Sequence, residues 1–189
     1  MTLANVLTLA RLACAPLLGI LIFTHDDRAL WIFGFAALTD LLDGLAARTI
    51  SRKSQLGSLL DPLADKALLL ISFIAGACVG LFPLWLVATT VLRDAAQLTV
   101  AFALVRRGAL DTQRFEPTRL GKYAAFAQAL TIVGALLLDR NVHSSLLRSY
   151  LPAWMIVCAL FTLTAGLQYL VLLRSRIAES RQPESVTHA

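Results

Sequence analysis

Charge is scarce in this chain. Only 15% of its 189 residues are charged and 58% are hydrophobic, whereas a soluble domain is about 25% charged and about 45–50% apolar. That deficit excludes an ordinary soluble globular protein and a disordered chain. Cysteine is scarce too. Cys14, Cys78 and Cys158 are odd in number, far apart and set in apolar runs, which excludes a disulfide scaffold and leaves them as small buried hydrophobes. The three histidines, His25, His143 and His188, fall in loops or the tail without ligand partners at useful spacing and read as solvated. There is no internal repeat, no low-complexity tract and no serine or cysteine nucleophile arrangement. The net charge of +5 would suggest nucleic acid in a soluble protein. In an apolar chain it reflects basic loops facing the cytoplasm and anionic headgroups, so no nucleic-acid partner is expected.

What the sequence has in plenty is long apolar runs. They cover about Leu3 to Phe23, Leu30 to Ala47, Leu59 to Leu81, Leu84 to Val105, Tyr123 to Leu138 and Tyr150 to Leu173. A transmembrane helix needs about 20 apolar residues, so six helices use most of the chain. The pattern predicts an all-α polytopic membrane protein. One membrane domain occupies residues 1–175 and a polar tail residues 176–189. The first run holds its basic residue, Arg11, inside it, so it reads as a retained helix and not a signal peptide. Trp31, Trp85 and Trp154 lie near predicted span ends as interfacial anchors. Eleven basic residues fall in the Arg48–Gly57 loop, the Arg106–Lys122 loop and the tail, against three (Arg28, Arg140, Arg148) in the opposite loops. This predicts six transmembrane helices with both termini cytoplasmic.

The acids stand out against that background. Asp40, Asp43, Asp61, Asp65 and Asp94 lie in or at the ends of apolar runs, where an ionisable group costs several kcal/mol and reads as functional. Asp40 and Asp43 are i,i+3, and Asp61 and Asp65 are i,i+4, so each pair shares a helix face. Two antiparallel helices joined by the Arg48–Gly57 loop place all four at one depth near the cytoplasmic surface. Like charges raise each other's pKa, so four carboxylates need compensation from protons, from basic side chains (Lys66, Arg48, Arg93) or from divalent cations. Two divalent ions match four negative charges, and hard oxygen donors suit Mg²⁺, Mn²⁺ or Ca²⁺ over Zn²⁺. Asp61 before Pro62 taken alone also fits a helix start. Gly44 and Ala47 share the face of Asp40, and Gly57 lies one turn before Asp61. Small residues there admit a ligand or another helix. Arg48 offers a fixed positive charge to a phosphate.

As one string these residues read Asp40-x2-Asp43-Gly44-x2-Ala47-Arg48-x8-Gly57-x3-Asp61-x3-Asp65. The string resembles the signature of the CDP-alcohol phosphatidyltransferase family at every fixed position. The resemblance implies a six-helix membrane fold, typically a homodimer, with a divalent metal site open to the cytoplasm. It implies transfer of a phosphatidyl group from CDP-diacylglycerol to an alcohol with release of CMP. It assigns Mg²⁺ or Mn²⁺ binding to Asp40, Asp43, Asp61 and Asp65, the role of general base to Asp65, and CDP binding to Gly44, Ala47, Arg48 and Gly57.

The flanks are similar to two branches of the family. Arg93-Asp94, and Pro117-Thr118-x3-Lys122 followed by Gln128, resemble the cardiolipin synthase branch, whose acceptor is phosphatidylglycerol. Gly121-Lys122 is more like the phosphatidylglycerophosphate synthase branch, whose acceptor is glycerol 3-phosphate. The cardiolipin reading is preferred and the other stays open. Both acceptors carry a phosphate, for which Arg93, Arg114, Arg119 and Lys122 are the candidate cations. Arg93, beside Asp94, is equally well explained as an internal ion pair. A competing class, a cation or proton transporter, accounts for the aspartates but not for Gly44, Ala47, Arg48 and Gly57 at fixed offsets. The start directly at the first helix, without an Arg/Ser-rich transit segment, suggests a bacterial plasma membrane.

Overall fold

A long apolar run leaves backbone N–H and C=O groups only one another as partners, and an α-helix satisfies them within one segment. Six helices result: α1 (Leu3–Phe23), α2 (Arg28–Ala46), α3 (Gln55–Cys78), α4 (Leu84–Arg106), α5 (Arg119–Asp139) and α6 (Ser145–Glu179). The computed structural model describes residues 3–46, 55–106, 119–140 and 144–179. For residues 3–9, 40–46, 55–65, 98, 100–106, 119 and 172–179 it describes the backbone path alone. No strand occurs among the described residues.

The helix ends follow from local chemistry. α1 closes with the Thr24 hydroxyl donating to the Ile20 carbonyl. Asp26 then caps α2, its carboxylate accepting from the Arg28 N–H at 2.8 Å and from the Arg28 guanidinium. Those bonds hold the Asp26 carboxyl down to about 2. α3 ends in a left-handed Gly80 (φ 80°), with Leu81 N–H returning to the Gly76 carbonyl at 2.8 Å, the glycine-terminated cap that reverses a helix tightly.

The helices alternate in direction. The α1–α2 turn, the α3–α4 turn and the junction of α5 with α6 meet at one end of the bundle. There His25 bonds Asp139 at 2.8 Å and Arg140 bonds Asp27 at 3.0 Å. Gly80, Leu81, Asp139 and Arg148 line one surface cavity at the same end. The opposite end therefore gathers the end of α2, the start of α3, the end of α4 and the start of α5.

α1 packs most extensively on α3, while α6 packs on α4 and α5. Ala15, Leu18 and Ile22 of α1, Phe33 of α2, Phe73 of α3, Leu86 of α4, Ile132 of α5 and Cys158 of α6 are buried together. The α1–α3 approach depends on Gly19, where an added Cβ would lie 2.7 Å from Cγ2 of Ile71. The obstructing atom is a stiff β-branched methyl. Gly19→Val is therefore expected to destabilise the protein by about 1–3 kcal/mol, read as a fall in Tm in detergent. An unchanged Tm would show that the helices part freely.

Among the described residues, the exterior also carries many large apolar side chains. Leu84 is 77% exposed and Trp31 72%, and Leu92, Phe126, Leu167 and Val171 join them. The buried hydroxyls of Ser72, Thr90, Thr131 and Thr162 each donate to the carbonyl four residues back in their own helix, which satisfies them without water. Helices apolar on both their inner and outer faces belong to a membrane-type bundle. Among the described residues, two helical stretches, Leu120–Asp139 and Ser145–Val171, are long and apolar enough to cross a membrane, and the parts of α1, α2 and α3 with described side chains, Ala10–Phe23, Arg28–Thr39 and Lys66–Cys78, are shorter apolar stretches.

Several expectations need correction. α3 starts at Gln55 and not near Leu59, because its polar first turn carries no hydropathy signal. Asp61-Pro62 is thus inside a helix and not its start. Arg119 and Lys122 are helical, in the first turn of α5, and not in a loop. Of the cysteines only Cys158 is buried; Cys14 is half-buried and Cys78 exposed. His25 is paired across the bundle with Asp139 and not simply solvated. Trp31 and Trp85 stand exposed near helix starts, whereas Trp154 is half-buried and packs against the core.

Candidate functional site

The helix ends that carry the predicted aspartates lie at the end of the bundle away from the His25–Asp139 pair. α2 carries Asp40, Asp43 and Gly44 in its last two turns. With the backbone helical there, the three share a face at i, i+3 and i+4. α3 carries Gly57, Asp61 and Asp65 at successive i,i+4 steps, so they form one row along that helix. Asp40 lies about 9 Å from the end of α2 and Asp61 about 9 Å from the start of α3, at 1.5 Å rise per residue. Two helices of opposite direction thus carry carboxylates at matching distances from the same end. Ala47, Arg48 and Arg114 lie outside the described residues. Arg119 is placed by its backbone alone.

The donor chemistry of these turns is uniform. Residues 40–46 and 55–65 contain four aspartates and neither histidine nor cysteine. Such a set fits a hard divalent cation that prefers oxygen ligands.

Around this row the side chains are polar in an otherwise apolar bundle. Lys66, next to Asp65, donates to Gln97 Oε1 of α4 at 2.9 Å. One turn earlier on α4, Arg93 and Asp94 form a buried ion pair, Nη1 to Oδ1 at 2.6 Å. Arg93 Nη2 also reaches the Gly121 carbonyl of α5 at 3.5 Å. Lys122, the next residue, is exposed. Deeper in the bundle Gln128 of α5 donates to Thr162 of α6 at 3.2 Å. Arg93 is thus held as the ion pair that its neighbour Asp94 suggested. Gln97 carries no motif signal, and the bond from Arg93 to the Gly121 carbonyl is not legible in the Gly121-Lys122 pair itself. Gln97 could have been found from its i+4 offset to Arg93, since that spacing places both on one face of α4.

A family model for CDP-alcohol phosphatidyltransferase matches residues 1–165. Cardiolipin synthase (CMP-forming) from Rattus norvegicus is 43% identical over 124 residues, covering 65% of this chain and 39% of that protein. The Homo sapiens cardiolipin synthase (CMP-forming) is 41% identical over 124 residues, covering 65% and 40%. A probable phosphatidylglycerophosphate synthase from Mycobacterium tuberculosis is 33% identical over 137 residues, covering 69% and 63%. The matched region is less than half of the two mammalian relatives. The family match spans both aspartate pairs and five of the six helices entirely, and it displaces the transporter reading: this chain belongs to the CDP-alcohol phosphatidyltransferase family.

Proposed function

We propose that this chain transfers a phosphatidyl group from CDP-diacylglycerol to the hydroxyl of phosphatidylglycerol, forming cardiolipin and releasing CMP. The observation that carries the reading is the eight-position signature, six of whose residues lie on the end of α2 and the start of α3, at the same end of the bundle. Similarity to cardiolipin synthases at 41–43% identity supports the choice of acceptor. Glycerol 3-phosphate is the second reading, favoured by Gly121-Lys122 and by the mycobacterial relative.

In this scheme six helices span the bilayer with both termini cytoplasmic, the chain acting as a homodimer. The 11-to-3 division of basic residues supports the orientation. The apolar exterior supports the embedding. The donor's acyl chains then stay beside the exposed leucines and phenylalanines while its nucleotide reaches the end of α2 and α3.

Asp40, Asp43, Asp61 and Asp65 would hold two Mg²⁺ or Mn²⁺ ions. Bound there, divalent cations neutralise pyrophosphate charge and favour departure of CMP. Gly44, Ala47 and Gly57 leave room for the cytidine and ribose, and Arg48 binds a phosphate oxygen. The acceptor hydroxyl oxygen forms a bond to the phosphorus bearing diacylglycerol, and the anhydride P–O bond breaks with its electron pair leaving on CMP. The hydroxyl proton passes to Asp65. Arg119, Lys122 and Arg114 receive the acceptor phosphate, with Arg93 behind them. Positioning of the two lipids at one membrane end supplies much of the rate.

The test is CMP release by the purified chain with CDP-diacylglycerol and Mn²⁺ or Mg²⁺, with either phosphatidylglycerol or glycerol 3-phosphate. Phosphatidylglycerol is expected to support turnover with at least about a tenfold higher kcat/KM. The reverse ratio installs the second reading, and no CMP with either alcohol defeats both.

A further inference from the structure

Arg93 and Asp94 sit in the middle of α4 and are only 8% and 6% exposed. Burying an ion pair in an apolar bundle costs desolvation that its own attraction repays only with good geometry and further hydrogen bonds. Here the further bond leads out of the helix. Nη1 is held by Asp94, and Nη2 reaches the Gly121 carbonyl, the third residue of α5. Gly166 of α6 lies alongside the arm, where an added Cβ would meet Arg93 Cγ at an ordinary contact distance of 3.4 Å. One turn further along the same face of α4, Gln97 accepts from Lys66. A single face of α4 therefore touches α3 next to Asp65 and α5 next to Lys122.

Resting on the function proposed above, we infer that Arg93 is a positioning residue. With Gln97 it uses α4 as a crossbar that holds the cationic first turn of α5 in register with the carboxylate-bearing start of α3, and it acts on the acceptor only through Lys122 and Arg119. A phosphate bound directly at Arg93 would have to compete with Asp94 in a buried site. Lys122 meets the acceptor from an exposed position.

The two roles separate in kinetics of the full chain in mixed micelles. Arg93→Lys keeps the charge beside Asp94 but has no planar fork with which to reach Gly121 as well. It is expected to raise KM for the acceptor about tenfold and to leave KM for CDP-diacylglycerol within about twofold. In a background lacking both cations, Lys122→Ala with Arg119→Ala, the same change is expected to add less than about twofold, because the cations it positions are already gone. Additive effects on acceptor KM would mean that Arg93 binds the acceptor itself, and overturn the inference. So would an Arg93→Lys enzyme with wild-type constants, or an equal loss toward CDP-diacylglycerol. Should Arg93→Lys fail to accumulate, Asp94→Asn, which keeps the shape but weakens the 2.6 Å bond, carries the same comparison. A wild-type chain that releases no CMP overturns the parent reading and this one together. An active wild type with additive variants overturns this one alone.

Discussion

Asp65→Asn is expected to lower kcat by about 10²–10⁴-fold, the range over which a positioned general base contributes. Asparagine keeps the size of the side chain and its place in the row with Gly57 and Asp61, but it cannot take a proton from the acceptor hydroxyl. Helix content and Tm should stay near wild type, because the substitution removes a charge from an apolar bundle and opens no cavity. A loss confined to kcat identifies proton removal. A loss confined to KM for CDP-diacylglycerol would identify Asp65 as a donor-binding group instead. Full activity would remove it from the chemistry.

Withdrawal of divalent ions by a chelator is expected to abolish CMP release, by at least about 10³-fold if the ions both hold the pyrophosphate and stabilise the leaving group. Restoration by Mg²⁺ or Mn²⁺ should follow, since four carboxylates without histidine or cysteine would offer a hard oxygen donor set. The same treatment should change Tm. On the proposed function, four carboxylates left without cations would repel one another, and bound cations stabilise the state that binds them. Turnover that survives chelation would assign the aspartates to proton or ion-pair compensation.

Much of this architecture was legible because two periodicities survive in a sequence nearly devoid of charge. α1 runs from Leu3 to Phe23 as its apolar run does. The i,i+3 and i,i+4 spacing of the aspartates has its meaning only on helices, and α2 and α3 are helical there. Hydropathy misjudged the places where helix and apolar run part company. Gln55 to Ser58 and the turn around Arg119 are helical but polar, so they read as loops. Contacts between elements far apart in sequence left no trace either. The His25–Asp139 pair joins residues 114 positions apart, and the Gly19–Ile71 approach depends on a missing side chain. The buried Arg93–Asp94 pair was visible as two adjacent letters, but its reach to Gly121 required the fold.

The apolar girdle formed by Trp31, Leu84, Leu92, Phe126 and Val171 changes how this protein meets its reactants. An enzyme wrapped in hydrocarbon collects a lipid by lateral diffusion in a sheet. The governing concentration is then mole fraction in the surface, and diluting the suspension with water at constant membrane composition should leave encounter frequency unchanged. Diluting the surface with an inert lipid should slow the reaction for two lipid reactants as the product of their mole fractions. A water-borne acceptor would break that dependence into one surface factor and one bulk factor. The order of the surface-dilution curve thus tells a lipid acceptor from a water-borne one.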